Sequence, residues 1–195
     1  AWKNTNEKIT FICPVPGYDR HFSICEQFGI KMITVAMTPT GPDMDAVEEL
    51  IKNDPSIKGM WCVPKYSNPT GTVYSNETID RIAQLGNIAS SNFCVFWDNA
   101  YAVHDLQGYK SIANIMDRCR EHGTEDSVIQ FASTSKITHA GSGVAFIASS
   151  ESNLKHFIDV LGILSIGPDK VNQLRHLRLF PNYAALLQHM EKHAE

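Results

Sequence analysis

Phe93-Cys94-Val95-Phe96-Trp97-Asp98-Asn99-Ala100-Tyr101 and Val128-Ile129-Gln130-Phe131-Ala132-Ser133-Thr134-Ser135-Lys136 decide the reading of this chain. Each begins as a short apolar run of strand length and ends in polar residues. Each delivers a charge just past the end of its run, Asp98 in the first and Lys136 in the second. Between them, Ile112 to Glu121 reads as a helix that ends near Gly123. Strand, helix, strand is the repeating unit of a parallel sheet, and open parallel sheets bind ligands at the carboxyl ends of their strands. A carboxylate and an amine on that edge, with Tyr101 beside one and Ser133-Thr134-Ser135 before the other, point to a bound, charged cofactor.

The same alternation extends toward the N-terminus. Lys8 to Cys13 reads as a strand stopped by Pro14-Val15-Pro16-Gly17, followed by a helix from His21 to Phe28 and a strand from Ile30 to Val35. Thr38 to Asp43 is a loop opening a helix whose Met44, Val47, Leu50 and Ile51 share one face. Ile57 to Val63 is the next strand, and Ser75 is placed to cap a helix carrying Ile79, Ile82 and Ala83. After Ala132 a sixth strand spans Val144 to Ala148, and beyond Ser149-Ser150 the pattern is helix alone. There Leu174, Leu177, Leu186, Leu187 and Met190 form candidate buried faces, with Gly167-Pro168 and Pro181 as breaks. The reading is an α/β fold: three layers, a mostly parallel sheet between helices whose last strand is expected to run antiparallel, with residues 1–150 as the α/β unit and 151–195 as a helical continuation.

Bulk properties bound the function. The chain has 195 residues, 43% hydrophobic and 19% charged, with a formal net charge of -4. That size can bury a substantial core. Slight acidity with dispersed Lys and Arg argues against nucleic acid or an anionic membrane as partner. No apolar stretch is long enough to span a bilayer, and no signal peptide pattern opens the chain. The cysteines Cys13, Cys25, Cys62, Cys94 and Cys119 are widely spaced and odd in number, so reduced core thiols in a cytoplasmic protein are expected. His189 and His193, four apart on a helix, lack matched acidic or cysteine ligands, and solvent exposure is expected for them rather than a metal.

Taken singly, the polar residues at the strand ends carry little. A strand-end Asp is commonly a helix cap, most lysines are solvated, and Asn68-Pro69-Thr70-Gly71 is a turn. Together they match pyridoxal 5'-phosphate: an amine for an aldehyde carbon, a carboxylate for a protonated ring nitrogen, hydroxyls for a phosphate. Ser67-Asn68-Pro69-Thr70-Gly71, Asp98-Asn99-Ala100-Tyr101 and Ser133-Thr134-Ser135-Lys136 resemble, in order and spacing, the fold-type I, class I/II aminotransferases. Lys65-Tyr66 before the first motif and Ile137-Thr138 after the last look most like the MocR-type aspartate aminotransferase-like subgroup.

The resemblance implies roles. Lys136 would be the Schiff-base lysine and then the proton carrier between substrate Cα and cofactor. Asp98 would hold the ring nitrogen protonated, with His21 orienting that aspartate and Tyr18 stacking on the ring. Tyr101 and Asn68 would bond the 3'-oxygen; Ser133 and Ser135 would contact the phosphate. An amino acid, with aspartate first among donors, and a 2-oxo acid would be the substrates. A homodimer is implied for the full-length protein, with Ile166 to Gln173 near the partner subunit's site.

Two departures accompany the likeness. The family commonly carries a phosphate-binding Arg seven or eight residues after the lysine, where this chain has Gly143 and Val144. The family's first large-domain strand, glycine-rich phosphate loop and small domain have no counterpart here, so the resemblance implies a central cofactor-binding domain that transaminates poorly or not at all by itself. Lys136 and Asp98 would equally serve a β-lyase of the same fold, and a non-catalytic ligand-binding domain is the reading from a different class.

Overall fold

The computed structural model describes residues 8–105 and 108–194. Its elements alternate as the sequence pattern predicts. In order they are β1 (Thr10–Val15), α1 (Asp19–Gln27), β2 (Lys31–Thr38), β3 (Gly41–Pro42), α2 (Met44–Asn53), β4 (Ile57–Cys62) and α3 (Asn76–Ile88). There follow β5 (Cys94–Asp98), α4 (Ile115–His122), β6 (Val128–Ser133), β7 (Ala145–Ala148), α5 (Glu151–Leu164), α6 (Lys170–Leu179) and α7 (Tyr183–Ala194).

The sheet has seven strands in the order β3-β2-β1-β4-β5-β6-β7. β2, β1, β4, β5 and β6 run parallel, and β7 closes the edge antiparallel to β6, as expected for the last strand. The chain steps from β1 to β2 on one side and later to β4 on the other. Parallel sheets open a crevice where the order reverses in this way, at the strands' carboxyl ends.

Local chemistry sets the element boundaries. The side chain of Asp43 accepts from the Ala46 amide to start α2, and Ser75 accepts from the Thr78 amide to start α3. Asn114 caps α4 by accepting from the Met116 amide, which moves the start to Ile115 from the expected Ile112. Gly123 ends that helix in the left-handed conformation, at φ 68°, which a glycine adopts without steric cost. β1 runs on through Pro14 to Val15 instead of stopping at Cys13, because pairing to β2 continues to Val15–Ala36 after pairing to β4 has ended at Ile12–Met60. β3 was not foreseen; a two-residue bridge back onto β2 is too short to leave a periodicity.

The main core lies between the sheet and α2, α3 and α4, built on Ile12, Met60, Val95 and Trp97 from the strands and Val47, Ile79 and Ile82 from the helices. Alternate residues Phe11 and Cys13 face the other way and pack with Cys25 of α1, beside Trp61 and Phe96. All five cysteines are buried and unpaired. Ser75→Ala removes one cap and leaves a helix amide without its partner; about 1 kcal/mol of stability is lost, read as a melting temperature lower by roughly 2–4 °C.

The terminal helices depart from expectation. α5, α6 and α7 contain no buried residue. Leu174 is 48% and Leu177 64% exposed, and Leu186 and Met190 are only half-buried. Helical spacing marks an apolar stripe but not whether a layer covers it. His189 is half-buried, its Nε2–H donating to the Ile137 carbonyl at 2.9 Å, so it too departs from the solvent exposure expected. No helix among the described residues is long and apolar enough to cross a membrane, and no metal-binding cluster occurs among them.

Candidate active site

Four successive strand ends of the parallel sheet deliver the polar residues to one edge. Tyr18 and His21 follow β1, Asn68 follows β4, Asp98 ends β5 ahead of Tyr101, and Lys136 follows β6. β1 and β4 flank the crevice where the strand order reverses.

The ε-amine of Lys136 donates to the Tyr101 hydroxyl at 2.8 Å. It also lies over two aromatic faces, 4.0 Å from the Tyr101 ring centroid and 5.7 Å from that of Tyr18. Ring faces attract a cation, so this setting holds an ammonium without a carboxylate beside it. Tyr18 meets the His21 ring edge-on at 5.3 Å. His21 Nε2 in turn lies 3.2 Å from Asp98 Oδ2, with the histidine side chain 8% and the carboxylate 24% exposed. Lys136, Tyr101, Tyr18, His21 and Asp98 are therefore joined by direct contacts.

Asp98 keeps one face open while its other side is held. His21 stacks on Trp61 at 4.2 Å with ring planes 6° apart, and the Trp61 indole N–H points to Cys25 Sγ at 3.4 Å. Trp61 was legible only as a core residue of β4, yet it fixes the plane of the imidazole against the carboxylate. Asn68 lines a small cavity with Tyr18, His21 and Trp61. Its neighbour Ser67 is buried and donates to the Val63 carbonyl, which anchors the turn to the end of β4.

The Lys136 loop is tied down from behind by α6. His176 Nδ1–H donates to the Asn172 carbonyl at 2.9 Å, leaving Nε2 to accept from the Thr134 hydroxyl at 2.8 Å. Asn172 donates to the Ser142 carbonyl at 2.8 Å. Nothing local in the sequence marks these partners, thirty and forty-two residues apart in the chain. Ser133 is half-buried, its hydroxyl accepting a 3.4 Å bond from the Ser135 amide, while Ser135 is exposed. Neither serine is hydrogen-bonded to Lys136 or Tyr101.

Gly143 explains one departure seen in the sequence. A Cβ built there would collide with Ser135 Oγ and lie 2.9 Å from the Ser135 amide nitrogen. An arginine at this position has no room. The amine, aromatic faces and half-shielded carboxylate fit the aldehyde and ring of pyridoxal phosphate, and the Ser133–Ser135 hydroxyls are of a kind that a phosphate can accept from.

His104 adds a pH dependence. Its Nε2–H donates to the Lys136 carbonyl at 3.3 Å, its ring meets Tyr101 edge-on, and its buried Nδ1 has no partner among the described residues. Burial holds its pKa below the ordinary histidine value, with the Lys136 charge adding to the effect. A lowered histidine pKa means the unfolded chain takes up the proton first as pH falls, so this contribution is intact above about pH 6.5 and is lost below it. Asp54, Asp105 and Asp126, whose pKa values are lowered, lose theirs only further down, below the ordinary carboxylate value. Melting temperature is expected to fall between pH 7 and pH 5, and less steeply in His104→Gln; equal slopes would contradict this.

The model of the family described as aspartate amino-transferase matches residues 1–195. An aspartate aminotransferase of Corynebacterium glutamicum is 49% identical over 189 residues, covering 96% of this chain and 43% of that protein. A crystal structure of an aspartate transaminase from C. glutamicum aligns with a TM-score of 0.94 at 47% identity, over 99% of this chain and 45% of that one. The α-aminoadipate aminotransferase of Thermus thermophilus, solved with N-(5'-phosphopyridoxyl)-L-leucine, shares the fold at a TM-score of 0.80 and 24% identity, over 95% and 47%. The chain spans less than half the length of each.

Proposed function

This chain belongs to the aspartate amino-transferase family, and on that premise we propose that it is the cofactor-binding large domain of a pyridoxal-phosphate-dependent aminotransferase. The observation that carries the reading is the amine of Lys136 bonded to the Tyr101 hydroxyl at 2.8 Å and covered by the Tyr18 ring, on the sheet edge that also presents the Asp98–His21 pair. The wording of its motifs supports the MocR-type subgroup, and its share of the relatives' length supports a domain of a longer protein. Residues 1–150 are the cofactor-binding unit in this reading and 151–195 lead toward the remainder.

Pyridoxal phosphate, when bound, withdraws electrons from the substrate Cα and so makes its proton removable. Lys136 Nζ would be the anchoring amine, and would serve as the general base and then acid that moves the proton from the substrate Cα to the cofactor's C4'. The Tyr101 hydroxyl and the Asn68 amide would bond the 3'-oxygen, and Tyr101 holds Nζ in place through their 2.8 Å hydrogen bond. Asp98 supplies negative charge at the ring nitrogen and His21 holds its carboxylate in position. Tyr18 covers the ring face, and Ser133 and Ser135 take the phosphate.

The donor is an acidic amino acid, aspartate first, and the acceptor a 2-oxo acid, as the name of the C. glutamicum relative supports. Five buried, unpaired thiols suit the cytoplasm. A homodimer accords with an apolar run left open, Ile163 at 89% and Leu164 at 77% exposure. A donor panel on the intact protein tests the activity: aspartate with a 2-oxo acid should give the fastest exchange of amino group. Release of ammonia with cleavage of a β-substituent, and no exchange, would make it a lyase.

A further inference from the structure

We propose that Lys65, Tyr66 and Asp105 form a clamp that fixes Asn68 and Tyr101 relative to one another and thereby sets the proton affinity of the Lys136 amine. The inference rests on the reading above, in which those two residues share one oxygen of the cofactor.

β4 and β5 are hydrogen-bonded neighbours through the pair Cys62–Trp97. Beyond that pair the two chains leave the sheet, one toward Asn68 and the other toward Tyr101. Backbone pairing no longer sets their separation. Lys65 bridges the gap: its amine donates to Asp105 Oδ2 at 2.8 Å and to the carbonyl of Ala102, next to Tyr101, at 3.0 Å. The Tyr66 hydroxyl donates to the other oxygen, Asp105 Oδ1, at 2.6 Å. Both carboxylate oxygens are thus engaged from the Asn68 side.

The chemistry is unusual for a merely structural contact. Lysine is seldom buried, yet the side chain of Lys65 is 4% exposed and that of Asp105 13%. A buried ion pair contributes little net stability against an apolar pair of the same size, and its best-attested use is to specify one arrangement over others. Tyr66 also sits at φ 53°, a backbone region that side chains disfavour and that persists only when the surroundings hold it. Burial raises the Asp105 pKa, but the bonds from Lys65 and Tyr66 outweigh it and hold the carboxyl below its ordinary value. Burial together with Asp105 pushes the Tyr66 hydroxyl up to about 12, so a neutral hydroxyl donates to an ionised Asp105 through neutral pH.

The groups facing the Lys136 amine are Tyr101 and Tyr18, with His104 at the lysine's own carbonyl. Any slack between Asn68 and Tyr101 therefore reaches Nζ through the Tyr101 hydroxyl. The test is a spectrophotometric pH titration of the intact protein loaded with pyridoxal phosphate, following its visible band. Wild type is compared with Tyr66→Phe, Lys65→Met and the double variant Lys65→Met/Asp105→Leu, which leaves no unpaired buried charge. Melting curves establish that each is folded. The clamp predicts a titration midpoint moved by about 0.5–1 pH unit in the double variant, and by less in Tyr66→Phe. Lower melting temperatures with an unmoved midpoint would overturn the clamp and leave the site intact. No band in the wild type would overturn the site reading, and the clamp with it.

Discussion

Lys136→Ala is expected to leave the intact protein with about 10⁴-fold less transaminase activity, the upper end of what one positioned acid–base group contributes. The reason is that one atom, Nζ, carries both anchoring and proton transfer, and no other lysine is described against Tyr101 or Tyr18. The exposed position of Lys136 makes the effect separable from folding, since no packed contact is lost from the core. Melting temperature should change by no more than about 1–2 °C, as for surface replacements elsewhere. Added pyridoxal phosphate should not restore the rate. A variant retaining a tenth of wild-type activity would remove Lys136 from the chemistry.

Asp98→Ala is expected to lower the rate by about 10³-fold, the scale of losing a preorganised electrostatic partner. It also strips His21 of its 3.2 Å partner while the imidazole stays fixed on Trp61. Asp98→Asn separates the two consequences: the amide can still bond His21 but carries no charge for a ring nitrogen. Its activity should fall nearly as far as that of the alanine variant. His21→Asn should cost less than either, because His21 acts through Asp98. Steady-state rates for the three variants give the order, and a His21 effect exceeding that of Asp98 would contradict these assignments.

Much of this architecture was legible before the structure. Asp98 and Lys136 follow runs of Val, Ile, Phe and Trp whose length and composition mark strands, and a polar residue after such a run lands on the ligand-binding edge. Ser75 announced its helix because a capping side chain acts within three residues of itself. What escaped was set by distance along the chain. Lys65 and Asp105 are forty residues apart, and Thr134 and His176 forty-two, so no local pattern joins them. Trp61 looked like any apolar residue in β4, since nothing in a sequence distinguishes a ring that packs from a ring that orients a histidine. The leucines of α6 and α7 failed in the opposite way: their spacing was right for burial, but the covering layer that burial needs is not part of the described residues.

In the proposed site, Asp98 and Lys136 are opposite poles of one bound pyridoxal phosphate, with Lys136 as its covalent end. Borohydride reduction of the intact protein mixed with pyridoxal phosphate, followed by peptide mass mapping, addresses it directly. One stable pyridoxyl group per chain is expected, carried by the peptide containing Lys136 and absent from Lys136→Ala. A label spread over other lysines, or undiminished in that variant, would contradict it.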